Sequence, residues 1–338
     1  MFTHQWADNG AALSPALDNT IGQHAVTTNP GDLTQLATAT RAGETAQALA
    51  HYTAQNGDML LNMPGAGEVN NALGQVNPLL DQALGRNLLP YIGDILGNHL
   101  DNTAGFTHDI DDAVRSPTLP LTKQLFAVIN SDPTAAAQFN GQAYHDIAAY
   151  QDRFAESLAG KGIQDIESFK SAGTLQAVID QSAIIEAKDR VGNVNDAAQA
   201  AYDLRKQWFD TALDIAGKVP GADKAAEYTP LFPELQDFLV GDKPVPLNVP
   251  DAPARSTLPT EYDIANDLLQ SGAVADPGDR AALDKYIDPA TGQIRPFETV
   301  QSDETFRNAL HEYIKGCGAD MGYAFVQYWE AYTNASKQ

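Results

Sequence analysis

Apolar side chains along this chain recur at helical spacing and not at the alternation of a strand. Only a period near 3.6 places i, i+3, i+4 and i+7 on one face. The clearest stripe runs near the C-terminus through Phe306, Leu310, Tyr313, Ile314, Cys317, Met321, Ala324, Phe325, Tyr328 and Tyr332. A second passes through Tyr202, Arg205, Trp208, Phe209, Ala212, Leu213 and Ala216, and a third through Leu121, Leu125, Val128 and Ile129. Stripes of this width face a core. The pattern predicts an all-α protein, a multi-helix bundle or array, with helices over 32–56, 69–97, 118–130, 133–159, 164–191, 195–217, 260–271, 277–286 and 302–334.

Local start and stop signals support these spans. Asp132 precedes Pro133, so a side-chain acceptor sits ahead of a residue whose missing N–H costs nothing in a first helical turn, and a helix is expected to begin there. Gly217-Lys218-Val219-Pro220-Gly221 combines a terminating glycine, a cation and a proline that cannot continue the ladder. Thr260 with Asp263 resembles a shortened capping box ahead of Ile264. Between Gly241 and Thr260 stand five prolines, at 244, 246, 250, 253 and 259. Each removes a donor and biases its predecessor to extended geometry. The predicted organisation is a helical body over 1–240, a proline-rich extended connector over 241–260 and a C-terminal helical segment over 261–338 packing on the body.

Charge and cysteine content narrow the partners. The chain has a net charge of −23, which repels phosphate backbones and anionic headgroups, so no nucleic acid partner is expected. No apolar run is long enough for a membrane span, and the opening MFTHQWADNG has neither the basic nor the apolar region of a signal peptide. The single cysteine excludes an internal disulfide or a multi-cysteine metal site within one chain. Acids outnumber bases most strongly before residue 110, where only Arg41 and Arg86 oppose Asp8, Asp18, Asp32, Glu44, Asp58, Glu68, Asp81, Asp94, Asp101 and Asp109. This third is expected to present a solvated acidic face.

Candidate chemistry is sparse. His108-Asp109-Ile110-Asp111-Asp112 is the densest run of metal-ligand types, and His108, Asp109, Asp111 and Asp112 are the candidate ligands for a hard cation, against an alternative in which the acids serve a short helix N-terminus. Gly316-Cys317-Gly318 has a dinucleotide-like look, but a helix, not a strand, leads into it. Gly65-Ala66-Gly67, after Met63-Pro64, reads as a turn. His311 and Cys317 are six residues apart, about 9 Å of rise and about 240° of rotation beyond a full turn, so no dyad forms on a continuous helix. Cys317 reads as a small hydrophobe. Residues 287–298 echo a calcium loop with Gly292 and Glu298 in place, but Ile287 and Pro289 stand where oxygen ligands are needed, and a proline turn is expected. No catalytic residue, and no cofactor, is indicated.

Several phrases resemble an uncharacterised family of large actinobacterial helical proteins labelled TPR-repeat-region proteins, associated with WXG100-like modules and type VII secretion. They are FTHQWADNGAAL at 2–13, NPLLDQALGRNLLPYIGDI at 77–95, LFAVINSDPTAAAQFNGQAYHDIAAY at 125–150 and YDLRKQWFDTALDIAGKVPG at 202–221. The resemblance implies an all-helical body, a protein partner such as a WXG100-type protein or a toxin domain, and cytoplasmic location or export by a type VII route. It supplies no active-site residues. The chain departs from that setting in lacking a WxG tripeptide, a YxxxD/E export signal and an alignable 34-residue repeat. The expected function is a non-enzymatic helical scaffold or carrier linked to type VII secretion or a polymorphic toxin. The alternatives are a carboxylate- or metal-dependent hydrolase and an acidic binding or neutralising protein.

Overall fold

A computed structural model describes residues 5–25, 31–64, 70–98, 103–112, 116–159, 165–190, 194–215, 235–241, 243, 256–273, 275, 277–318 and 320–337. Among these residues the protein is all-α. The helices are α1 (Ser14–Thr20), α2 (Leu33–Gln55), α3 (Gly57–Leu61), α4 (Leu73–Val76), α5 (Pro78–Leu88), α6 (Ile92–Ile95), α7 (Pro120–Ile129) and α8 (Pro133–Ala159). There follow α9 (Ile166–Arg190), α10 (Val194–Ile215), α11 (Gln236–Leu239), α12 (Leu258–Gln270), α13 (Pro277–Asp284), α14 (Phe297–Val300), α15 (Glu304–Gly316) and α16 (Met321–Ser336). Met63–Pro64 pairs antiparallel with Asn70–Asn71 in a two-residue ribbon. The Gly65–Gly67 turn, the stop at 217–221 and the proline-rich stretch 244–255 lie outside the described residues.

The body is organised around α9. This helix has no single apolar side: Phe169, Leu175, Val178, Ile179, Ala183 and Ala187 surround it, and all are buried. A helix apolar on every side must be enclosed, and α7, α8, α10 and α16 pack on it. Phe169 shows how the layers lock, with its ring 4.9 Å from Phe154 of α8 and 5.5 Å from Tyr328 of α16. Small residues set the closest approach. A β-carbon at Gly173 of α9 would collide with the Tyr328 carbonyl of α16, so this crossing requires glycine. Tyr144 of α8 meets Phe209 of α10 edge-on at 5.8 Å.

Two smaller groups flank this core. On one side α1–α7 pack together, with α5 against α8 and α7 against α9. On the other, α12, α13 and α15 pack together around Tyr262, Tyr286 and Phe306, and α12 lies against α8. Lys123 of α7 reaches across to donate to the Ala335 and Lys337 carbonyls at the end of α16, at 3.3 and 2.6 Å. A cation there satisfies carbonyls that the helix leaves without donors.

Differences from the expected helices have local causes. Asp132 caps α8 as anticipated, accepting from the Thr134 and Ala135 amides at 2.9 and 2.8 Å. The span 69–97 is instead divided into α4, α5, a 3₁₀ turn at 89–91 and α6, because Pro78 and Pro90 each start a new turn. The span 302–334 breaks into α15 and α16 where Gly318 takes φ +94°, a conformation costly for other residues, and Asp320 then caps α16 by accepting from the Tyr323 amide. The helix near 260 begins two residues earlier, with Thr257 at its cap position, so Thr260 and Asp263 are interior, not a capping box. The acidic face expected before residue 110 is also interrupted, since Asp81 and Asp94 are buried.

Candidate functional site

The oxygen-rich loop at 108–112 is used structurally. Asp111 accepts from the Leu121 and Thr122 amides at 2.8 and 3.0 Å and from the Thr122 hydroxyl at 2.6 Å. It thereby caps α7 from nine residues upstream, a task left open because Leu119, the residue at the cap position, offers no side-chain acceptor. The His108 carbonyl accepts from Gln47 Nε2 of α2 at 2.8 Å. Asp109 lies against Gly97, and burial raises its carboxyl above the usual range. His108, Asp109, Asp111 and Asp112 do not bring three ligand atoms within 4.8 Å of one another.

Among the described residues that convergence occurs elsewhere. Asp152 of α8 and Asp263 and Asp267 of α12 place three carboxylate oxygens within 4.8 Å of one another. Asp263 and Asp267 are one helical turn apart, so both project from the same side of α12 toward α8. Burial, then the charges of Asp152 and Asp263, push the Asp267 carboxyl up to about 9. Its Oδ2 is buried without a hydrogen-bond partner. Glu156, one turn beyond Asp152, adds a further negative charge to the seam.

A different buried polar group holds the core together. Arg205 and Asp180 are 4% and 0% exposed, with Arg205 Nε 3.5 Å from Asp180 Oδ1. Tyr332 of α16 donates to Asp180 Oδ2 at 2.7 Å, and Gln176 Nε2 donates to Asp180 Oδ1 at 3.3 Å and to the Leu239 carbonyl at 3.0 Å. Arg205 Nε also donates to the Val240 carbonyl at 2.9 Å. One ion pair thus joins α9, α10, α16 and the end of α11. The guanidinium is committed to structure, which explains an arginine in an otherwise apolar stripe.

The thiol and glycine candidates resolve similarly. His311 is exposed, whereas Cys317 is half-buried against the core, and burial raises its thiol above the ordinary range. A protonated thiol is a poor nucleophile. Residues 288–294 form a tight turn in which the Asp288 amide donates to the Gln293 carbonyl and the Gly292 amide to the Asp288 carbonyl, each at 2.8 Å.

The outer face of α16 is the remaining feature. Its inner side chains, Ala324, Tyr328 and Tyr332, pack into the core, while Tyr323 and Val326 are 51% and 59% exposed. Gly322, Phe325, Val326 and Trp329, continued by Glu330, Thr333 and Asn334, line an open groove of about 440 Å³. These positions advance by 3 and 1, the step of a helix–helix seam, over about 18 Å of axis. No helix among the described residues is long and apolar enough to cross a membrane.

Sequence reasoning missed both carboxylate groups, the buried Asp180 and the partly buried group of Asp152, Asp263 and Asp267. The Asp263/Asp267 pair at i, i+4 and the arginine in an apolar stripe were the available signals. Their partners Asp152 and Asp180 come from other helices. Compared with models of known protein families, with curated proteins and with solved structures, the chain matches none.

Proposed function

We propose that this protein is a non-enzymatic helical scaffold that seats an amphipathic helix of a partner protein on the outer face of α16. The observation that carries this reading is the groove through Phe325, Val326 and Trp329, an apolar stripe beside the face of α16 that packs on α9 and on Phe238 of α11. A partner helix with apolar residues at i, i+3, i+4 and i+7 complements such a stripe. The sequence phrases that resemble the actinobacterial helical family support a partner of the WXG100 type and a setting in type VII secretion or a polymorphic toxin system. The use of Asp111, Arg205 and Asp180 as caps and ties also favours a load-bearing frame over a reaction centre.

Affinity purification from an actinobacterial lysate tests the proposal, with wild type and Val326→Glu as matched baits. Val326 is more than half exposed, so the substitution leaves the fold intact. Wild type is expected to enrich a WXG100-type helical protein or a secretion component, and V326E to lose it. Equal recovery by both baits, or no such component with either, would overturn the reading.

A further inference from the structure

We infer that the seam between α8 and α12 is a pH-sensitive joint, held shut by a proton that Asp152 and Asp267 share and loosened when that proton leaves. The geometry sets the requirement. One oxygen each of Asp152, Asp263 and Asp267 lies within 4.8 Å of the other two, and the Asp152 and Asp267 carboxyls are in hydrogen-bond contact. An ionised carboxylate only accepts, so two carboxyls bond to each other only when one of them carries a proton. Solvent does not relieve the charge, because Asp267 Oδ2 is buried without a hydrogen-bond partner.

The surrounding groups keep that proton in place. Burial acts first on Asp267, followed by the negative charges of Asp152 and Asp263 and, more weakly, Glu156, and together they push its carboxyl up to about 9. Arg153, the next residue after Asp152, projects about 100° further round α8. From α15, Arg307 and His311 act on Glu261, six residues before Asp267 and about 9 Å away along α12. The described side chains of α11, Gln236, Phe238 and Leu239, carry no charge. When α12 lifts off α8, Asp267 regains water and returns toward its ordinary value of 3.8. The closed joint is therefore tightest below about 4, and opening releases a proton at any pH from there up to about 9. Mass action then favours the open form as pH rises through that window.

The fold sets what moves. Helices α12, α13 and α15 share a small core of their own, in which the Phe306 ring lies 5.0 Å from Tyr286 and 6.4 Å from Tyr262. This group meets the long helices chiefly along the α8–α12 seam. Its path into α16 runs through Gly318, at φ +94° and with nothing within 4 Å of the place a β-carbon would take. A turn of this kind lets α15 swing while α16 stays on α9. The docking groove belongs to the part that stays, so the joint and the proposed partner site are separable.

Hydrogen exchange of the full chain, read by mass spectrometry at pH 6, 7 and 8 and corrected for the intrinsic amide rate, tests the joint. Amides of α12 are expected to exchange faster than those of α9 at each pH, because the seam opens without the rest of the fold. Their protection is expected to fall by about three- to tenfold per pH unit. Asp267→Asn keeps a neutral side chain of the same shape and should remove this pH dependence from α12. Asp152→Asn takes away the partner that shares the proton and should reduce it, which keeps the test valid should D267N fail to fold. Exchange of α12 in step with α9, protection of α12 that is constant from pH 6 to 8, or a wild-type pH dependence in either folded variant would overturn the inference.

Discussion

Replacing Arg205 with Met removes the guanidinium while preserving the length of the side chain and its place in the apolar stripe of α10. Asp180 keeps its bonds from Tyr332 and Gln176 but loses its counter-ion, and the Val240 carbonyl loses its donor. At the observed 3.5 Å separation the attraction is about 5 kcal/mol gross at an effective dielectric of 20. The net value of the pair is smaller, because both groups left water to form it. Removing one partner nonetheless leaves an uncompensated charge in the interior, which costs about 3–5 kcal/mol. R205M is therefore expected to lose about that much stability, read from urea unfolding followed by far-ultraviolet ellipticity. The double variant D180N/R205M should lose at least about 1.5 kcal/mol less than the two single losses combined, since it no longer buries a lone charge. A loss below about 1 kcal/mol for R205M, or additive losses in the cycle, would refute the claim that this ion pair ties the core together.

Other expectations follow from single contacts. Gly173→Ala should destabilise by more than about 2 kcal/mol in the same urea assay, because its β-carbon meets the backbone of α16, which cannot yield without opening the crossing. Asp111→Ala should cost about 1–2 kcal/mol and speed amide exchange in the first turn of α7, since two amides lose their acceptor. Asp81 is fully buried, and burial followed by the nearby Asp132 charge raises its carboxyl well above the usual range. The native state thus holds this proton when the unfolded chain has released it. The stability from Asp81 is greatest below the unfolded value near 3.8 and is lost as pH rises toward the folded value. In wild type minus Asp81→Asn, the urea-derived stability is expected to fall with rising pH, by at most about 1.4 kcal/mol per unit. A difference that rises with pH would contradict the assignment.

The helices were legible because their cause is local. Asp132-Pro133 marks the start of α8 in the sequence itself, and the stripes of α7 and α10 state which side faces inward. Breaks were less legible. Gly316 and Gly318 interrupt a stripe whose apolar spacing continues unbroken into α16, so periodicity alone joins two helices that the backbone separates. The polar interior was least legible, because it is assembled from partners far apart in the chain. Arg205 in an apolar stripe announces burial but does not name Asp180, which stands 25 positions earlier on another helix. Asp152 likewise gains its meaning only when α12 is laid on α8. The dense acidic loop was the opposite case. Its composition suggested a ligand set, and the fold uses Asp111 to cap a helix that begins nine residues later at Pro120.

Native-state hydrogen exchange, read by mass spectrometry along the whole chain, tests most directly the claim that rods pack around α9 and that this enclosed helix holds the structure. Amides across 172–186 of α9, which four helices cover, are expected to exchange more slowly than any other segment and only through global unfolding. Exchange of α9 as fast as that of the short peripheral helices α1 and α13 would contradict the account.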